Sequence, residues 1–409
     1  MRPYRWLVRC CYLGMFVQAM VINLTPLLFI PLREQFGLTF EQIGRLILIN
    51  FLTQMFVDLV CTAVADRVPI KPLVVAANIL AALGLCLFAT APFLLADPYT
   101  GLVIGTIAFS IGCGLLEVLL SPIINAVPSE RKSGDMAILH AFYPIGKVAV
   151  IVITAIALQF AGVGSWPWIV ALWAIVPLVN TFGFLAVDLP GLNTGPHRHT
   201  IRKLIFRPAT ILLLIAMVLA GATEVTVAQW TSAYVEQGLG FSKLVADLVG
   251  FGLFGVGMII GRLWFGFHGD HGNLSRVMSA SAALSCAACV VMSLAPNPWV
   301  ALAACATSGL FVSMLWPGTI SLATSRFPLA GASLFALLAA AGDAGGAFVP
   351  WAVGIIADSA AGWQINRLRE FFGPDISPES FGLRVAFLIA ALCPLLMLPT
   401  VRLLHRVRN

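Results

Sequence analysis

Apolar residues run along this chain in twelve stretches of about 20, the length that crosses a hydrocarbon core. They cover roughly 10–32, 42–64, 72–95, 101–126, 136–160, 166–187, 209–235, 243–267, 274–295, 299–324, 332–357 and 382–404. Short polar segments separate them. The length and apolar content of each stretch predict a membrane-spanning helix. The first follows Arg2, Arg5 and Arg9, is long enough to span, and has no small-residue cleavage motif after it, which predicts a transmembrane helix and not a signal peptide. The expected fold class is an all-α membrane protein.

Composition agrees with the pattern. Of 409 residues 60% are hydrophobic and only 10% charged, where soluble domains carry about 25% charged residues. The formal net charge of +6 is spread over short loops and not gathered on one face, which excludes nucleic acid as a partner. Lys and Arg concentrate on alternate loops: at the N-terminus, at Arg67 and Lys71, at Arg131 and Lys132, at Arg198, Arg202, Lys203 and Arg207, then at Arg276, Arg326, Arg402, Arg406 and Arg408. By the positive-inside bias both termini are cytoplasmic, in the cell membrane, or the inner membrane if the source is bacterial. The outer loop at about 358–381 holds an amphipathic piece, Ile365–Phe372. The basic segment 191–208 links two halves of six spans, 1–190 and 209–409, and faces anionic lipid headgroups of the bilayer. Nine cysteines lie in or beside apolar runs, and the Cys286/Cys289 pair has no second pair to complete a metal site, so they read as small packing residues.

Charges inside the apolar runs carry the chemistry. Ionisable groups in hydrocarbon are costly and mark polar paths or interhelical pairs. Six stand out: Asp58, Glu117, Lys147, Glu224, Arg262 and Asp343. Glu117 is mid-span, suited either to reversible protonation or solute contact, or to a structural hydrogen bond. Glu224 precedes Gln229 and Trp230 in the seventh run. A Trp face and N–H suit a sugar ring, while helix packing is the plain alternative. Lys147 is about 18 Å into its run at 1.5 Å per residue, too deep to snorkel easily. Lys147 with Arg262 is expected to offer a positive patch, and Asp58 with Asp343 a negative one on which carboxylates share a proton; otherwise these are interhelical pairs. His140 suits proton shuttling or packing. Asn23, Gln18 and Gln54 are further candidate polar groups. Glycine clusters in the eighth and eleventh runs serve close helix approach, not nucleotide binding, since no strand precedes them and no Walker lysine follows. No cofactor is expected. No nucleophile–base or metal constellation appears, so the chain does not read as an enzyme.

The two halves echo each other. Asp270-His271 follows Asp66-Arg67 at an offset of 204, and Gly309…Pro317 follows Gly114…Pro122 at 195. Thr62…Asp66-Arg67…Lys71 and Gly266…Asp270 resemble the loop motif of the major facilitator superfamily, with Thr62 in place of a glycine and His271 in place of a basic residue. The resemblance implies two pseudo-symmetric six-helix bundles rocking about a central site, with Asp66, Arg67, Lys71 and Asp270 in a loop that controls the conformational change. Leu116-Glu117…Ser121-Pro122, His140-Ala-Phe142 and Glu224…Trp230 are similar to the fucose:proton symporter branch. That branch uses an acidic residue four positions before the Pro that ends span 1; here the position is Leu27. The expected function is secondary active transport of a small polar solute, a sugar or sugar derivative, by proton symport in a monomer. The alternatives are an organic-anion or sugar-acid carrier with a Lys147/Arg262 clamp, a drug or lipid exporter, and a non-transporting membrane sensor.

Overall fold

A computed structural model of the chain describes residues 4–64, 69–128, 132–190, 207–268, 274–327, 331–363, 371–372 and 376–406. Among these residues there is no strand, and twelve helical runs are long and apolar enough to cross a membrane. Counting each run as one element, they are α1 (Arg5–Phe36), α2 (Phe40–Cys61), α3 (Ile70–Leu94), α4 (Pro98–Ile124), α5 (Ile138–Ala161) and α6 (Val163–Ala186), then α7 (Pro208–Gly238), α8 (Lys243–Trp264), α9 (Leu274–Leu294), α10 (Pro298–Ala323), α11 (Leu337–Ala361) and α12 (Pro378–Leu404). Asp66, Arg67 and Asp270, and nearly all of the 191–208 linker, lie outside the described residues.

Local chemistry sets the ends and bends of these helices. Three helices begin with a small polar cap followed by proline at the first helical position: Asp97-Pro98, Asn297-Pro298 and Ser377-Pro378. The cap oxygen accepts an orphan N–H, and proline has none to satisfy. Interior prolines lack the donor for the carbonyl four residues back; Pro92, Pro122, Pro144, Pro350 and Pro399 stay within continuous helix, but at two others the helix gives way. There α1 tightens to a 3₁₀ turn at Thr25–Leu28 around Pro26, and α6 breaks at Ala174 ahead of Pro177.

By packing, the chain divides into two compact units, Met1–Phe36 with Ile49–Pro196, and Gly37–Leu48 with His197–Asn409. In the first unit α3 and α4 run against each other at backbone distance. A Cβ on Gly84 would sit 2.2 Å from the Phe109 nitrogen, so no larger residue fits there. Trp166, fully buried, closes one end by donating its indole N–H to Gln35 at 2.6 Å. In the second unit α7 and α11 cross equally closely at Gly221 and Gly345.

The segment Gly37–Leu48 joins the second unit for a definable reason. Thr39 and Gln42 cap one another reciprocally at the start of α2, at 2.9 and 3.1 Å. The next two backbone donors, Phe40 and Glu41 N–H, go to the Asp358 carboxylate at the end of α11, at 3.2 and 2.7 Å. Glu41 also accepts the Trp351 indole N–H at 2.8 Å. All four early donors of α2 are therefore satisfied, two by a residue more than 300 positions away.

Candidate functional site

Each unit carries its own group of intramembrane polar side chains. In the first, Gln18 on α1 donates its amide to Glu117 on α4 at 2.9 Å. Asp58 on α2 brings a carboxylate oxygen within 4.8 Å of one on Glu117. Gly114, one turn before Glu117, makes this approach possible: a Cβ there would press on Val57 and Gln54 of α2 at 3.0–3.2 Å. Higher on the same seam Asn50 accepts from Gln54 at 3.0 Å and from Ser110 at 2.6 Å. Asn50, Gln54 and Asp58 recur every fourth residue, so all three lie on one face of α2. The polar residues of α2 and α4 thus form a file inside apolar helices, with the two carboxylates at one end. Lys147 is buried on α5, and His140, exposed, lies 3.5 Å from the Ser121 hydroxyl. Asn23 donates to the Ala19 carbonyl of its own helix at 2.8 Å, a backbone contact within one turn.

In the second unit Arg262 on α8 meets Glu224 on α7, one guanidinium nitrogen lying 3.1 and 3.4 Å from the two carboxylate oxygens. The Arg262 Nε–H also reaches the Ser313 carbonyl of α10 at 3.5 Å. Pro317 explains why that carbonyl is open. It stands four residues after Ser313 and has no N–H to return to it. Sequence therefore builds the site twice over, once by the pair of charges and once by the proline that frees an acceptor. Asp343 is buried on α11, next to Gly342, whose missing side chain makes room for the Trp316 ring and whose carbonyl is approached by α7 at Gly221.

Trp230 and Gln229 are buried. The Trp230 indole N–H donates to the Pro350 carbonyl at 2.9 Å, and its ring meets Phe40 edge to face at 5.7 Å. That N–H is spent on helix packing. Lys71 makes a loose contact with Asp188 at 3.9 Å between exposed side chains, of the kind that contributes little.

The structure also makes pairings that the apolar pattern does not specify. Gln18 was one polar candidate among several, and its pairing with Glu117 spans 99 positions. Lys243 and Asp247 form a 2.6 Å ion pair at the start of α8; their i, i+4 spacing was a usable signal. Arg384 on α12 is buried and donates to the Ser293 and Ala295 carbonyls at 3.1 and 2.9 Å.

A family model described as Major Facilitator Superfamily matches residues 11–350. The chain belongs to the Major Facilitator Superfamily. No curated protein matches it in sequence. Solved structures of the superfamily's fold superpose along its whole length. A bacterial homolog to the human lysosomal transporter Spinster, in an inward-facing and unoccupied conformation, gives a TM-score of 0.79 at 14% identity, over 99% of this chain and 98% of that one. The E. coli fucose:proton symporter gives 0.64 at 17% identity over 100% of both chains. A D-xylose-proton symporter gives 0.74 at 14% identity, over 98% and 99%. Identities this low establish the superfamily fold and leave the cargo to the site.

Proposed function

We propose that the protein is a secondary active transporter that carries a small polar solute, a sugar or sugar derivative, by proton symport. The observation that carries the reading is the Gln18–Glu117–Asp58 group. Two carboxylates within 4.8 Å of each other repel when both are ionised, and taking up a proton on one of them relieves that repulsion. The Gln18 amide fixes the orientation of Glu117. Glu117 is the coupling residue in this reading, and Asp58 stands in for the acid that α1 lacks at Leu27. The Glu224–Arg262 pair supplies donors and acceptors for solute hydroxyls. In this reading both termini face the cytoplasm, which the bias of Lys and Arg to alternate loops supports.

A sugar-acid carrier is the second reading, favoured by the buried ammonium of Lys147. Glu224 already neutralises Arg262, which weakens a two-cation clamp and ranks this reading below the first.

The test is thermal stabilisation of the purified protein by neutral sugars and matched uronates side by side, since a ligand of the folded state raises apparent stability by mass action. It is followed by solute-driven proton flux in proteoliposomes. A neutral sugar that stabilises the wild type and drives proton entry, with entry abolished in Glu117→Gln, supports symport. Stabilisation by uronates alone, lost in Lys147→Ala, replaces it with the anion carrier. Solute flux with no proton movement removes the coupling role of Glu117.

A further inference from the structure

The turn between α7 and α8 holds a buried ionic knot that neither polar group uses. The end of α7, Tyr234–Gly238, is π-helical, and so is Ala246–Gly252 near the start of α8. Asp247 is fully buried between them. One of its oxygens accepts from Lys243 at 2.6 Å and from Ser232 at 2.5 Å, and the other has no hydrogen-bond partner among the described residues. Lys243 also reaches the Ser232 hydroxyl at 3.3 Å and Glu236 at 3.9 Å. Gly250 lies flat on α7, where an added Cβ would stand 3.0 Å from Val235 and 3.3 Å from Thr231.

Two physical facts give this knot a consequence. A buried ion pair seldom stabilises a fold beyond what apolar residues would, and fixing register is its best-attested use. A π turn takes up an extra residue, and such turns recur at functional sites. One residue corresponds to about 100° around an α-helix of 3.6 residues per turn. Without the π turn of α8, everything beyond it would rotate by about that angle relative to Asp247. Arg262 lies beyond it, on the α-helical part Leu253–His268. A rotation of that size would carry its guanidinium off Glu224.

We infer that Asp247 is a positioning residue: its bonds to Lys243 and Ser232 hold the α8 π turn against α7, and that turn sets the register in which Arg262 meets Glu224. The functional weight of this rests on the reading that the Glu224–Arg262 pair belongs to the solute site.

The test is a set of double-mutant cycles on the full-length purified protein, read as thermal midpoints. Glu224→Gln, Arg262→Gln and the double variant are compared in the wild type and in Asp247→Asn. The wild type is expected to show non-additivity of about 2–4 °C, the signature of a coupled pair. In Asp247→Asn the same substitutions become additive to within about 1 °C. Lys243→Met reproduces the loss and Lys243→Arg does not; Lys243→Met and Ser232→Ala carry the test if Asp247→Asn does not fold. A merely destabilising effect lowers all four midpoints together and leaves the non-additivity intact, and that result overturns the proposal. Additivity already in the wild type also overturns it, by removing the pair, while leaving proton coupling at Glu117 untouched.

Discussion

Gly221 offers the sharpest measure of how tightly the second polar group is held. It lies three residues before Glu224 on α7, facing Gly342, the neighbour of Asp343 on α11. A Cβ at Gly221 would stand 2.1 Å from the Gly342 carbonyl oxygen, whereas ordinary contact begins at 3.4 Å. Gly221→Ala must therefore move the two helices apart by about 1.3 Å at the crossing. The contact is backbone on backbone, so no side chain can swing aside. Overpacking of this kind costs about 1–3 kcal/mol. At roughly 2–4 °C per kcal/mol for a unit of this size, the midpoint should fall by about 2–12 °C. A thiol-reactive dye reports the transition, since most of the nine free cysteines are buried and become reactive on unfolding. Gly164→Ala is the control, because nothing lies within 4 Å of a Cβ there; its midpoint should stay within about 1 °C. A Gly221→Ala midpoint equal to that of the control would refute the argument that the α7–α11 crossing is set by missing side chains.

Three further outcomes are expected. Asp358→Ala leaves Phe40 and Glu41 N–H without their carboxylate, which should cost about 1 kcal/mol and speed exchange of those two amides by roughly fivefold in hydrogen-exchange measurements; unchanged exchange would show the cap to be dispensable. Trp230→Phe removes the bond to Pro350 and should lower stability by about 1 kcal/mol without changing the binding of any solute that stabilises the wild type; a loss of solute affinity would return Trp230 to the site. Hydrogen bonds from the Thr100 hydroxyl and backbone N–H hold the Asp97 carboxyl below the usual aspartate range. A depressed folded value means that the cap's contribution is complete above about pH 4 and is lost as pH falls through the folded value. Thermal midpoints of wild type and Asp97→Asn should therefore run parallel from pH 5 to 8 and converge only in acid; divergence above pH 5 would contradict this.

The solvent, the fold class and the number of spans follow from the apolar runs alone. Runs of about 20 apolar residues can satisfy their backbone in lipid only as helices, so element type and length follow from composition along the chain. The Asp97-Pro98 cap is a local signal of the same kind, whereas the break ahead of Pro177 is not, since Pro92, Pro122, Pro144, Pro350 and Pro399 leave their helices whole. The half-chain echo of Asp66 in Asp270, with the loop motif, was enough to point to the superfamily. The candidate acids and bases were legible too, because a charge in an apolar run stands out. Their partners were not. Which of Gln18, Asn23 and Gln54 would meet Glu117, that Arg262 would go to Glu224, and that the Trp230 N–H would go to the Pro350 carbonyl depend on helix rotation and on crossings set by Gly114 and Gly221. The π turns of α7 and α8 alter that rotation and leave no mark in hydropathy. Pairing is thus a tertiary property: it is decided by the angle about each helix axis and by how closely the backbones pass, neither of which is encoded within a single apolar run.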